Sequence, residues 1–159
     1  MLNARVTRMF FDKPAVMNAV ERAERRVLAR FGGLVRTIAR RSIKTDRKSS
    51  EPGRPPHSHT GLLKDHILFG YDPYKQSVII GPIKLHSGTD APELLEHGGI
   101  VITKKPLWIP TGKMRPDGRP QTVRVPAGTA LKYEARPYMG PAFEAAKPKL
   151  DPLWANSVR

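Results

Sequence analysis

The sequence predicts an α+β fold: a long N-terminal helix and a short C-terminal helix packed on an antiparallel β-sheet, with extended basic loops. Three observations predict it. Apolar residues recur at spacings of three and four through residues 13–44. Short alternating or β-branched runs, separated by turn dipeptides, fill residues 60–135. A proline-started helical stretch follows at residues 136–150. Helices segregated from a run of strands argue α+β rather than a parallel α/β fold. At 159 residues the chain is expected to form one domain over 1–159.

The first element spans residues 13–44. Asp12 is placed to cap it or to serve as a first-turn acid, and Pro14 suits the first helical position. Val16, Val20, Ala23, Val27, Phe31, Leu34 and Ile38 draw one apolar stripe. Arg22, Arg25, Arg26, Arg30, Arg36 and Arg40 lie largely off it. Gly32-Gly33 is a weak point, at about 1 kcal/mol per Gly relative to Ala, so a bend, a close contact or a break into two helices is expected there. Residues 45–59 form a polar, Pro-rich loop that is flexible alone and orders against a partner. Thr60 then caps a short helical turn through Leu62, Leu63 and His66.

The middle is β. Ile67, Phe69 and Tyr71 alternate onto one face, residues 72–75 turn, and residues 77–81 return as an antiparallel hairpin. Residues 91–97 read as a short helix stopped by Gly98-Gly99. Residues 100–103, 107–109, 121–125 and 131–134 are further strands. Residues 104–127 form a long hairpin, and its tip Pro110–Pro120 carries the tight-turn pair Asp117-Gly118 with Lys113, Arg115 and Arg119. Pro141 opens the last helix, which is disrupted near Pro148. Residues 151–159 form a tail whose Trp154 must pack or wait for a partner.

Charge narrows the partners. The net charge is +14. Residues 1–60 hold 14 basic and 5 acidic side chains (net +9), and residues 61–159 hold 14 and 9 (net +5). Such an excess implies a polyanionic neighbour, against the blander alternative of a solvated basic face. No helix-turn-helix, zinc-finger or RNA-recognition pattern is present, so base reading is not expected. No apolar run approaches the roughly 20 residues of a membrane span, and the first residues lack an apolar signal stretch. Packing on a core explains the basic amphipathic helix more simply than a membrane surface does. The absence of cysteine removes disulfides and thiolate metal sites and fits a cytosolic product.

Catalytic chemistry finds little footing. His57-Ser58-His59, with His66, His86, His97 and Asp65 as helpers, could be read as a metal site. The close pair sits in a Pro-rich loop without the fixed three-ligand geometry that catalytic zinc needs. Asp90, Glu93 and Glu96 could be read as a magnesium cluster, but three solvated acids explain them as well. No Gly-rich phosphate loop or nucleophile elbow occurs. No catalytic residue, metal or cofactor is expected.

An ordered series of motifs carries a family resemblance over residues 13–150. A charged helix is followed by Pro52-Gly53-Arg54-Pro55-Pro56 leading into Thr60-Gly61-Leu62-Leu63-Lys64. Then come Val78-Ile79-Ile80-Gly81, Leu94-Leu95-Glu96-His97-Gly98-Gly99 and Ala135-Arg136-Pro137-Tyr138-Met139-Gly140-Pro141-Ala142-Phe143. The series resembles the tail-component, or tail-completion, proteins at the head–tail joint of long-tailed bacteriophages. Residues 104–128 depart from it, being richer in Pro and basic side chains. The resemblance implies a non-enzymatic virion protein at the head–tail junction, present in host cytoplasm during assembly. It implies a homo-oligomeric ring, a hexamer or dodecamer, joining the head-completion or connector protein to the tail terminator or tail tube protein. Genomic DNA would pass through without its sequence being read, and no membrane is involved. Arg47, Lys48 and Arg54 in the first loop and Lys113, Arg115 and Arg119 in the second are the expected partner or DNA-lumen contacts. Tyr138 and Phe143 are expected in the core. A nucleic-acid-binding protein without sequence preference is the alternative function, and a metal-dependent hydrolase on His57 and His59 a third.

Overall fold

The computed structural model describes residues 12–46, 48–83, 90–155 and 157. Helix α1 runs unbroken from Lys13 to Ser42. Asp12 caps it, its Oδ1 accepting from the Ala15 N–H at 3.0 Å. Short α2 (Leu62–Asp65) follows, then β1 (Ile67–Asp72) and β2 (Ser77–Pro82), α3 (Ala91–His97), β3 (Gly99–Ile102), β4 (Leu107–Met114), β5 (Pro120–Val125) and β6 (Ala130–Tyr133). Helix α4 (Met139–Ala146) continues through a 3₁₀ turn at Lys147–Lys149 into α5 (Leu150–Trp154). The α+β class is as the sequence predicts.

The core lies between α1 and α4. Phe31, Val35, Ala39 and Ile43 from the first meet Tyr138, Ala142 and Ala146 from the second, with Leu63 and Ile67 closing one end. Ala142 and Ala146 are one turn apart, and their small side chains bring the two helix backbones close. Ala23, Val27 and Phe31 are buried as the spacing suggests, but beyond Phe31 the buried stripe of α1 is rotated from the expected one. Val35 and Ala39 sit at the centre, while Leu34 and Ile38 flank it half-buried. Val16 and Val20, assigned to the stripe, are exposed, because the packing on α1 begins only at Ala23. Phe143, expected in the core, is 44% exposed. It sits at the rim, edge-on to Phe31 with ring centroids 5.9 Å apart, because the alanines occupy the face that meets α1.

The Gly32-Gly33 pair resolves as a close contact. The β1–β2 hairpin lies across α1 there, and a Cβ on Gly32 would come within 2.7 Å of Val78 Cγ2 and 2.8 Å of Phe69 Cδ2. At Gly33 the nearest Phe69 atom would be 3.7 Å away, an ordinary contact. Gly32→Val is therefore expected to destabilise by about 2 kcal/mol through overpacking. Gly33→Ala is expected to stabilise by up to about 1 kcal/mol through helix propensity. Urea unfolding distinguishes them, and equal effects at the two sites would exclude the close contact.

Strand pairing is antiparallel throughout the described ladders, but it forms three two-stranded ladders, not one sheet: β1–β2, β3–β6 and β4–β5. Pro82 ends β2, Pro110 interrupts β4 and Pro120 begins β5, and each removes a ladder donor. The β4–β5 hairpin is inserted between β3 and β6. Its base is tied by buried Thr103, whose hydroxyl donates to the Pro126 carbonyl at 2.8 Å and accepts from the Thr129 N–H at 3.0 Å.

Thr60 reaches toward α2 with a long 3.4 Å bond from the Leu62 N–H, but the capping position belongs to left-handed Gly61. Leu150 and Leu153 pack on the core while Trp154 stays half-exposed. No helix among the described residues is long and apolar enough to cross a membrane.

Candidate functional site

Three segments distant in sequence meet at the start of α4. Its capping position is Tyr138, which supplies no side-chain cap, and Met139 and Gly140 follow. The acceptor comes from α3. Glu96 Oε2 accepts from the N–H groups of Tyr138 at 2.8 Å and Met139 at 3.0 Å, and Oε1 accepts from Gly140 at 2.8 Å. The next residue, Pro141, has no N–H. A single carboxylate thus serves the donors that a helix start leaves unpaired, and its charge complements the helix dipole.

The chain before α4 is fixed with equal care. Arg136 N donates to the Leu95 carbonyl at 2.6 Å, and its Nε donates to the Ser50 carbonyl at 3.0 Å. Gly53 N donates to the Ala135 carbonyl at 2.8 Å. Gly98 has φ +70°, and a Cβ there would lie 2.9 Å from the backbone of both Tyr133 and Ala135. The joint has the form of a clamp.

The first basic loop is anchored on its own chain in its described part. Ser58 N bonds the Lys44 carbonyl at 2.9 Å, His57 Nδ1 lies 2.8 Å from the Lys48 carbonyl, and Pro56 is fully buried. Lys48 is exposed, and Arg54 pairs with Glu51 at 3.2 Å, both largely in solvent. Arg47 lies outside the described residues. Among the described residues no three His, Asp or Glu side chains form a group able to hold a metal ion.

The second loop is the tip of the β4–β5 hairpin. Asp117-Gly118 turns it as the sequence predicts, with Gly118 at φ +76° and the Arg119 N–H on Asp117 Oδ1 at 3.0 Å. Lys113, Arg115 and Arg119 are all exposed. Toward the base, Leu107 faces Val125 and Ile109 faces Val123 across the ladder, with Trp108 opposite Arg124. Trp108 is 67% exposed. On β3, Ile100 and Ile102 share one face and are 69% and 66% exposed. On the outer face of β1–β2, Leu68 pairs with Gly81 and Gly70 with Ile79. The two glycines leave a shallow apolar trough flanked by Leu68 and Ile79.

Sequence reasoning found the hairpin tip but missed two features. It set Glu96 aside as a solvated acid, although a helix start reading Tyr138-Met139-Gly140 offers no capping side chain and so requires an outside acceptor. It also gave no sign that the strands would leave so much apolar surface open. No family model, curated protein or solved structure matches the chain.

Proposed function

We propose that this chain is a structural virion protein of a long-tailed bacteriophage, forming a ring at the head–tail interface that joins the head connector to the tail tube and lets DNA pass. The observation that carries the reading is the distribution of apolar side chains. Among the described residues, eleven hydrophobic residues make the core while eighteen large ones are exposed. The exposed set includes Leu68, Ile79, Ile100, Ile102, Leu107 and Trp108 on the three ladders. So many large apolar side chains left open on the ladders suit a part that is covered on assembly. A two-stranded ladder also leaves backbone donors and acceptors open on both edges for pairing with another chain.

The motifs that carry the resemblance also build the clamp. The Pro52–Pro56, Leu94–Gly99 and Ala135–Phe143 motifs meet in one hydrogen-bonded joint, through Gly53 on Ala135, Arg136 on Leu95, and Glu96 on Tyr138, Met139 and Gly140. The action is assembly, not catalysis. Copies of the chain associate head-to-tail through these apolar side chains, and a rotation that closes gives a ring of six or twelve copies. The ring's two remaining faces take the head-completion or connector protein and the tail terminator or tail tube protein. The test is electron microscopy of particles assembled without this chain. Full heads and finished tails that stay separate are expected, and joined particles would overturn the reading.

A further inference from the structure

We infer that the outer half of the β4–β5 hairpin is a duplex-DNA arm that grips phosphates without reading bases. The segment from Lys104 to Val125 carries six cations, Lys104, Lys105, Lys113, Arg115, Arg119 and Arg124, against a single acid, Asp117. All six cations are exposed. Among the described residues none of them has a carboxylate within ion-pair distance, whereas Arg40, Arg54, Lys132 and Lys147 each do. Asp117 spends one oxygen on the Arg119 N–H inside the turn. The tip therefore presents unneutralised positive charge.

The ribbon divides along its length. Its inner half carries the aliphatic pairs Leu107–Val125 and Ile109–Val123, with Arg124 between them and Lys104 and Lys105 at the base, and its tip carries three cations with Met114 as the sole large apolar side chain. The inner half suits a protein neighbour. The outer half does not, because protein interface cores are depleted of charged side chains and of Lys in particular. Phosphates are the chemistry that fits. A two-stranded ribbon is about 5 Å between strands, and a duplex groove about 12 Å wide admits it. Lys113 on β4 and Arg115 and Arg119 in the turn reach phosphates lining the groove, and the tip lacks the Asn and Gln pairs that read adenine. The one Gln, Gln121, lies on β5.

The inference deepens the proposed function but is tested apart from it, with the full chain and a mixed-sequence DNA duplex. Binding is followed by fluorescence anisotropy across a salt titration, for wild type, K113Q/R115Q/R119Q and the control K75Q/K147Q/K149Q, which removes equal charge elsewhere. The tip variant is expected to lose about 3 units of the log-affinity against log-salt slope, about 1 per phosphate contact. The control is expected to lose well under 1 unit, and scrambling the DNA sequence is expected to change nothing. Equal losses in both variants, an unchanged slope in the tip variant, or poly-glutamate competing as well as DNA would each overturn the arm. The last outcome would assign the tip to an acidic protein partner. Matching circular dichroism of the three proteins excludes misfolding. A failure here leaves the joining experiment untouched, and a failure there leaves this one standing.

Discussion

Tyr138→Ala is expected to lower stability by about 4 kcal/mol, as truncation of a large buried aromatic does. Tyr138→Phe is expected to change it by less than about 1 kcal/mol. The contrast follows from where the side chain sits. The residue is 1% exposed at the centre of the α1–α4 core, and its ring fills the space beside Phe31, Val35 and Ala142. Its hydroxyl is buried with no hydrogen-bond partner among the described residues. Deleting a hydroxyl that has no partner removes no interaction, whereas deleting the ring leaves a cavity.

The same burial sets a pH signature. Burial, and secondly the Glu96 carboxylate, push the Tyr138 hydroxyl well above the ordinary phenol range. The native state therefore holds the proton more tightly than the unfolded chain does. The stabilising contribution is complete below the unfolded value of about 10 and is lost as pH climbs above it toward the native value. Wild type is expected to lose urea resistance above that pH more steeply than Tyr138→Phe. Parallel decline of the two proteins would mean that the hydroxyl is solvated.

Glu96→Ala is expected to destabilise by about 3 kcal/mol, since three charge-assisted hydrogen bonds are lost and three helix-start donors are left without an acceptor. Glu96→Gln should recover only part of this, because its amide offers one acceptor oxygen and turns two donors toward N–H groups. The loss should concentrate where the three segments meet. Hydrogen exchange should quicken at Tyr138, Met139 and Gly140 and at Arg136, while α1 keeps its protection. Uniform acceleration across the molecule, or a loss below about 0.5 kcal/mol, would show that the carboxylate does not hold the helix.

What the sequence made legible was local. The α1 boundaries followed from Asp12, Pro14 and the apolar spacing, the hairpin turns from Asp72-Pro73 and Asp117-Gly118, and the end of α3 from Gly98. These features are decided within a few residues by backbone sterics and capping. Features decided over long separations were not legible. The rotation of the buried stripe to Val35 and Ala39 depends on Ala142 and Ala146, about a hundred residues away. Glu96 looked solvated because the donors it serves belong to another helix. The division into three ladders depends on which strands find partners, and alternation within a strand says nothing about that. Of the expected contact residues, Lys113, Arg115 and Arg119 share one exposed turn, whereas Lys48 and Arg54 belong to a loop folded back on the α4 joint.

The most direct test of the proposed role is in vitro joining. Heads and tails are collected from an assembly lacking this chain, mixed with the purified protein, and scored by electron microscopy and infectivity. The expected result is that unjoined heads and tails become joined, infectious particles only when the chain is added. Heads and tails that join without it, or that stay apart in its presence, would contradict a role at the head–tail interface.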